Sequence, residues 1–487
     1  MMTIQFKDLR VLVFSLLLSE QKAQVVQLLK GYSKILFVEL PLVKSKARSN
    51  DSGGWLVYNP VLEYERMGIP DQSWQISAFN ADYAYCDTYP TLLVVPKALD
   101  NNQLIAACKE RSRGRLPVLV WKSKASEATI SRCSQPLMGL SIRDLKDDLV
   151  LVKAIQKTND KKKLVVVDAR PRANAIANSA LGGGYENYSK AKLLFMNIAN
   201  IHVVRESFTK LRDEVVSSAF KRLEDPTYCS SDAVDGWLEH VRSILCGAVK
   251  ITRLISTGHS VLVHCSDGWD RTPQLTSTAS ILLDPAYRTL KGFEILIEKE
   301  WCSFGHKFAE RNGLSFQGKV DQQEKCPIFL QWLDTVYQLL YQFPNHFEFN
   351  ENLLIFLIDE LYSCNYGTFL FDSEKMRIYD MKLNKMTKSI WSYVNDKAKV
   401  HKFLNPFFDR KVKIEYPVLF PRTDRSSLVF WGSYYVRYWS IPYYSYSFVK
   451  AQFPNRDEVL LTKQNELKEM NVSLKKQIAE LKRKLGE

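Results

Sequence analysis

The apolar residues of this chain fall mostly into short continuous runs. Val118 to Trp121, Leu164 to Val167, Leu193 to Phe195 and Val261 to Val263 are such runs. Their length and β-branched content predict strands buried on both faces, as in a parallel or mixed sheet. Helical periods lie between and after them, for example Trp237 to Ser256 and Phe329 to Gln342. The alternation predicts an α/β fold, with a central mixed, largely parallel sheet flanked by helices. At the end of the chain the pattern changes. Leu460, Leu467, Leu474 and Leu481 recur every seven residues, with Gln464, Asn471, Ile478 and Leu485 at the other core position. The repeat predicts a coiled coil over 457–487, in which Asn471 fixes register or partner; a single amphipathic helix folded back on the rest is the alternative. At the other end, Val11 to Leu18 predicts a strand and Glu20 to Gly31 a helix. Lys44 to Gly54 reads as a polar linker. Residues 429–448 are crowded with aromatics, which predicts either core packing or anchoring at membrane headgroup depth.

Composition narrows the partners. The chain has 487 residues, of which 46% are hydrophobic, and a formal charge of +14. That charge points to an anionic partner. The basic residues are dispersed and carry no nucleic-acid motif, so an anionic membrane fits better than nucleic acid. Nine cysteines without a C-x-x-C spacing predict reduced cytoplasmic thiols and no metal site. No apolar run is long enough to span a bilayer.

The chemistry is concentrated in Ser260-Val-Leu-Val-His-Cys-Ser-Asp-Gly-Trp-Asp-Arg-Thr272. A strand ends near Val263 and a helix begins near Arg271, with Pro273 suited to its first turn. The loop between them, Cys265-Ser266-Asp267-Gly268-Trp269-Asp270-Arg271, is a C-x5-R sequence. A loop entering a helix N-terminus turns backbone N–H groups inward and binds an oxyanion, and Gly268 permits the tight turn. The same positive field, with Arg271, makes the Cys265 thiol a nucleophilic thiolate. Arg271 suits bidentate grip on phosphate oxygens. The stretch therefore predicts a cysteine-dependent phosphatase, working through a phospho-cysteine and needing no cofactor. A general acid is also required. None of the ten tryptophans precedes Pro-Asp, so the nearest carboxylates lie in the loop itself. Asp270 is the first choice; Asp267 is the alternative, or else a carboxylate that orients the loop through backbone N–H groups.

The loop resembles the signature of the catalytically active myotubularins, a family of phosphoinositide 3-phosphatases. The resemblance extends through Glu63-Tyr-Glu-Arg-Met-Gly-Ile-Pro, Cys86-Asp-Thr-Tyr-Pro-Thr, Arg111-Ser-Arg-Gly-Arg and Arg132-Cys-Ser-Gln-Pro-Leu. Asp168-Ala-Arg-Pro, Gly182-Gly-Gly-Tyr-Glu, Asn200-Ile-His, Leu283-Asp-Pro-Ala-Tyr-Arg and Phe304-Gly-His-Lys-Phe follow in the same order. Phe343-Pro-Asn-His-Phe and Tyr366-Gly-Thr-Phe-Leu complete it, and the subgroup around myotubularin-related protein 6 is the nearest match in pattern. The resemblance implies a phosphatase domain over 53–440, preceded at 1–45 by the C-terminal remnant of a PH-GRAM domain in a truncated chain.

It also implies roles. Cys265 is the nucleophile, Arg271 binds the 3-phosphate, and Asp270 is the proton donor. Ser266, Asp267, Gly268 and Trp269 line the phosphate, while Asn178, Asn200 and Ile201 touch the headgroup. Lys307 and Arg311 stand where the family carries two arginines for a 5-phosphate; lysine at the first offers a point charge in place of a fork. Read without the resemblance, Asn178 and Asn200 are turn or cap residues, and Lys307 with Arg311 a solvated basic face. The implied substrates are phosphatidylinositol 3-phosphate and the 3,5-bisphosphate in anionic membranes. The implied partners are a second copy or a catalytically inactive relative, bound through the coiled coil. The implied location is cytoplasmic, peripheral on endosomal or other internal membranes. A protein tyrosine phosphatase and a non-catalytic lipid-binding scaffold are the competing readings.

Overall fold

The computed structural model describes residues 2–5, 11–14, 23–28, 53–138, 145–186, 188, 191–221, 232–314, 321–411 and 417–438. The coiled coil expected at 457–487 lies outside them, as does most of the expected linker and PH-GRAM remnant. The chain forms two compact units, Met1–Val216 with Pro226–Phe430, and Ser217–Asp225 with Trp431–Glu487.

The first unit holds a two-stranded ribbon, β1 (Met2–Gln5) antiparallel to β2 (Val11–Phe14), and a helical segment at 23–28. The described residues thus place a strand and a helix within the two segments expected there. Its main sheet has seven strands: β3 (Trp74–Ser77), β4 (Leu93–Pro96), β5 (Val118–Lys122), β6 (Thr129–Cys133), β7 (Val165–Asp168), β8 (Lys192–Phe195) and β9 (Val261–His264). Their spatial order is β3-β4-β5-β6-β9-β7-β8. The four expected runs became β5, β7, β8 and β9. The sheet is mixed, as expected, but only half of its pairings are parallel. β3, β4, β5 and β6 pair antiparallel, whereas β6, β9, β7 and β8 run parallel. Between β5 and β6 the reason is connection length. A short turn closes β5 onto β6, through Ser123 N–H to the Ala128 carbonyl. Parallel neighbours need helical crossovers instead.

The helices that matter for the site follow. α1 is Asn101–Lys109, α2 Lys146–Lys157, α3 Arg172–Ser179, α4 Ile201–Lys221, α5 Asp232–Ser256, α6 Arg271–Leu283, α7 Phe308–Arg311 and α8 Ile328–Gln342. The expected helical periods fall inside α5 and α8. α6 leaves the end of β9 and is buried from Thr272 to Leu283. It packs against α5 and α8. Gly247 of α5 lets the α5–α6 crossing close, since a Cβ there would lie 2.6 Å from a Leu275 methyl.

β6 was missed by hydrophobic patterning because its sequence, Thr-Ile-Ser-Arg-Cys, is half polar although all five residues are buried. Arg132 is tolerated there because it is paired. Its guanidinium meets the Glu300 carboxylate at 2.8 Å and also donates to the Glu300 carbonyl. Both side chains are fully buried. In the second unit, the described residues form a short helix, Gly432–Tyr435, with Trp431, Tyr434 and Tyr435 rings 5.0–6.4 Å apart. Those aromatics pack on one another.

Arg132→Met would strand the Glu300 carboxylate in the interior. It should cost about 3–5 kcal/mol, read as a lower denaturant midpoint. Adding Glu300→Leu should recover much of that loss.

Candidate active site

The register of the parallel strands builds the site floor. His264, last residue of β9, lies opposite both Cys133 of β6 and Asp168 of β7. The chain then leaves the sheet as the loop Cys265–Asp270 and enters α6 at Arg271. The site therefore sits at the carboxyl ends of three parallel strands, where ligands of open α/β sheets bind.

Cys265 is buried. Its sulfur accepts hydrogen bonds from the Gly268 N–H and the Thr272 hydroxyl, each at 3.3 Å. Burial alone would push the thiol up. The Arg271 guanidinium and then the Thr272 hydroxyl outweigh it, so the thiol lies below its ordinary range. Gly268 adopts φ +78°, and a Cβ there would sit 2.4 Å from the Cys133 carbonyl. Both facts require glycine. The Gly268 carbonyl points away from the thiol and accepts from Arg132 at 2.6 Å and Arg115 at 3.0 Å. The Ser266 carbonyl is likewise held, by the Gln135 N–H at 2.9 Å. Pinning these carbonyls outward leaves an inward N–H to face an anion.

Below the loop lies a second buried layer. His264 Nδ1 is 3.0 Å from the Cys265 carbonyl and Nε2 is 2.8 Å from the Glu186 carboxylate. Both partners accept only, which favours the doubly protonated ring. Burial opposes that charge, but Glu186 and Asp168 raise its proton affinity above that of an ordinary histidine. Arg111 continues the chain, with Glu186 at 2.6 Å, the two Asp148 oxygens at 2.7 Å and the Ser134 carbonyl at 2.8 Å.

The expected site residues separate into groups. Asn178 is brought to the loop, donating to the Ser266 hydroxyl at 3.0 Å. Asn200 acts as a helix cap, its side-chain oxygen accepting from the His202 and Val203 N–H groups at 3.1 Å, and Ile201 opens α4. Their segment reaches the loop through the Ile198 carbonyl, which accepts from Arg271 at 3.4 Å. Asp267 accepts from the Ser112 hydroxyl at 2.8 Å, an orienting contact. Trp269 is buried, with Lys307 Nζ 4.6 Å and Arg115 Cζ 5.7 Å from its ring centroid.

Lys307 and Arg311 do not form a solvated face. Lys307 immediately precedes α7 and is bound by Glu310 at 2.6 Å. Arg311 is buried and grips Asp270 with Nε at 3.2 Å and Nη2 at 2.9 Å. Burial would raise the Asp270 carboxyl, but Arg311 and His306 hold it well below the usual carboxylate range. His306 Nδ1 lies 3.2 Å from Asp270 and 2.8 Å from the Trp269 carbonyl.

Residues that the chemical reading passed over are Arg115, Arg132, Gln135, Glu186, Thr272 and His306. Arginines inside otherwise buried strand and turn sequence were the available signal for the first two, since an unpaired buried charge is not tolerated. Among the described residues, no group of three His, Cys, Asp or Glu is placed to hold a metal ion.

Comparison with known proteins places this geometry. Residues 38–378 match the family model of the myotubularin-like phosphatase domain. The chain belongs to the myotubularin-like phosphatases. It is 44% identical over 432 residues to the phosphatidylinositol-3,5-bisphosphate 3-phosphatase MTMR2 of Gallus gallus, covering 87% of this chain and 72% of that protein. It is 45% identical over 390 residues to the myotubularin of Xenopus laevis, covering 79% of this chain and 63% of that one. It is also 45% identical over 390 residues to the MTMR2 of Mus musculus, of which it spans 59%. The chain thus spans from 59% to 72% of the length of these relatives.

Thr272→Val removes one hydrogen bond to the sulfur while keeping the side-chain shape. The pH midpoint of Cys265 alkylation by iodoacetamide should move up, and turnover at neutral pH should fall about tenfold. An unchanged midpoint would show that Thr272 does not tune the thiolate.

Proposed function

We propose that this chain is a phosphoinositide 3-phosphatase acting on phosphatidylinositol 3-phosphate and the 3,5-bisphosphate. The observation that carries the reading is the depressed Cys265 thiol, hydrogen-bonded beneath Arg271, in a chain of a family whose similar members are named 3-phosphatases. The Cys265 thiolate attacks phosphorus. An S–P bond forms and the bond to the inositol oxygen breaks, that oxygen taking a proton from Asp270. Water then attacks the phospho-cysteine, Asp270 takes its proton, and the thiolate leaves with inorganic phosphate released. Arg271 and the inward N–H of Gly268 meet the charge that develops on the phosphoryl oxygens. Asn178, Asn200, Ile201, Lys307 and Arg311 bound the inositol ring. The proposed organisation is a phosphatase domain over 53–440 that follows a PH-GRAM remnant, with a coiled coil over 457–487 that pairs with a second copy or an inactive relative. The proposed location is peripheral, on endosomal or other internal membranes. Among the described residues, no helix is long and apolar enough to cross a membrane.

Asp270 as acid has a condition attached. With Arg311 in place its carboxyl is held towards the ionised form, so little of it carries the proton to be given. A second phosphate on the ring competes for Arg311. When it takes the guanidinium, Asp270 loses the larger of the two influences that hold it ionised, His306 being the other, and its proton affinity rises. Activity that needs a protonated acid falls as pH rises through the acid's pKa in the enzyme–substrate complex. The kcat for the 3,5-bisphosphate should therefore hold to higher pH than the kcat for the 3-phosphate. Coincident pH profiles would remove Arg311 from this role.

The reaction itself is tested by phosphate release across singly and doubly phosphorylated inositol lipids and a phosphotyrosine peptide. Only lipids bearing a 3-phosphate should react well. Cys265→Ser should abolish release, and Asp270→Asn should slow it by about 10²–10⁴. Faster release from the peptide would overturn the lipid reading.

A further inference from the structure

α3 and the turn after it carry a pattern that is inverted relative to an ordinary surface helix. Ala173, Ile176, Ala177 and Ala180 recur at the i, i+3, i+4, i+7 spacing that usually marks the buried face, yet all four are exposed, as is Leu181. Ile176 is 50% and Leu181 86% exposed. The face that meets the protein is instead marked by Ala175, which is buried, and by Asn178, which bonds the Ser266 hydroxyl. No charged residue interrupts the exposed segment after Arg172. The helix is fixed in place: Gly183 N–H donates to the Asn178 carbonyl at 3.0 Å, and a Cβ on Gly183 would strike the Gln135 side chain at 2.6 Å. A second exposed apolar side chain, Val203, lies in the first turn of α4, whose leading segment reaches Arg271 through Ile198.

We propose that Ile176 and Leu181, with Val203, form a docking surface that enters the interfacial layer of an anionic bilayer beside the phosphate loop. The proposal rests on the lipid-phosphatase reading. A lipid substrate must place its phosphorylated ring at Cys265 while its tails stay in the membrane. The surface one hydrogen bond away from Ser266 is then the surface that meets the bilayer. An apolar stripe there gains from burial among acyl chains, and the chain's +14 charge favours the negative leaflet. The rigid Asn178–Ser266 link sets the distance between membrane plane and nucleophile.

The test uses the full chain and an Ile176→Ser/Leu181→Ser variant, neither residue being part of the catalytic machinery. Sedimentation with phosphatidylcholine–phosphatidylserine vesicles lacking any 3-phosphorylated lipid reads docking alone. The variant should bind these vesicles at least about tenfold more weakly. Phosphate release from monomeric short-chain phosphatidylinositol 3-phosphate should be unchanged, while release from the same headgroup in vesicles should fall with binding. Equal binding of both proteins to vesicles overturns the proposal, as does equal loss on monomeric and vesicular substrate. If the wild-type chain self-associates without vesicles and the variant does not, the stripe is a protein interface and the proposal also fails. Absence of release from any inositol lipid would sink the phosphatase reading, whereas the sedimentation result would stand separately.

Discussion

The Gly268 carbonyl, held by the guanidiniums of Arg132 and Arg115, is the interaction on which the active loop depends. A peptide unit has two polar ends. In a trans peptide the C=O and N–H point to opposite sides, so fixing the Gly268 oxygen on one side of the loop turns the Trp269 N–H to the other. That geometry needs φ +78° and a close pass over the Cys133 carbonyl, which no side chain at 268 would allow. The two arginines are buried, so the carbonyl is not shared with water, and each bond is charge-assisted. Arg115 spends its hydrogen bonds on uncharged oxygens of Thr88, Gly268 and Phe304. Its charge therefore adds to the positive field of the loop instead of being cancelled.

Holding so much charge out of water carries a desolvation cost, which the structure offsets by pairing below the loop. Arg132 pairs with Glu300, and Arg111 with Asp148 and Glu186. Glu186 in turn raises the proton affinity of His264 beneath the Cys265 carbonyl. Such pairs are poor evidence of net stability, but removing one partner is severe. The segments that carry them are far apart in sequence, from Thr88 to Phe304, and meet only because β6, β9 and β7 are neighbours. Specifying the loop and specifying the sheet order are therefore the same task.

This explains what could be seen in the sequence. Buried parallel strands announce themselves as apolar runs, so β5, β7, β8 and β9 were legible, as was the helix after the loop. β6 was not, because Arg132 breaks its pattern, and its burial is justified by Glu300, 168 residues away, and by the Gly268 carbonyl. The chemistry of Cys265 and Arg271 was legible because both lie within one short loop. The support for that chemistry was visible only as family-like motifs without assigned roles: Arg115, Arg132, Gln135 and Glu186 all fall in quoted motifs. Asn200 shows the opposite case. Its capping of α4 follows from local sequence rules, and the local rule is what the structure displays. Lys307 and Arg311 look like a surface pair by spacing, yet Asp270 and Glu324 draw Arg311 inward through contacts that spacing does not encode.

The arginines around the loop also show how one side-chain type divides between holding and acting. Arg111 and Arg132 make ion pairs at 2.6–2.8 Å, and Arg115 bonds at 2.8–3.0 Å. These guanidiniums are tightly held, and moving any of them would strand a buried acceptor. Among the described residues, Arg271 has only the Ile198 carbonyl at 3.4 Å and the Ser266 hydroxyl at 3.5 Å, both long for a charged donor. Swinging its fork onto a phosphate gives up little. Arg311 is intermediate, tied to Asp270 and Glu324 at 2.8–2.9 Å but through acids that a ligand phosphate can outbid by charge. The strength of the resting bonds thus orders the three behaviours. Tightly held arginines shape the loop, a loosely held one meets the substrate, and one held by the acid itself ties proton donation to what the substrate brings.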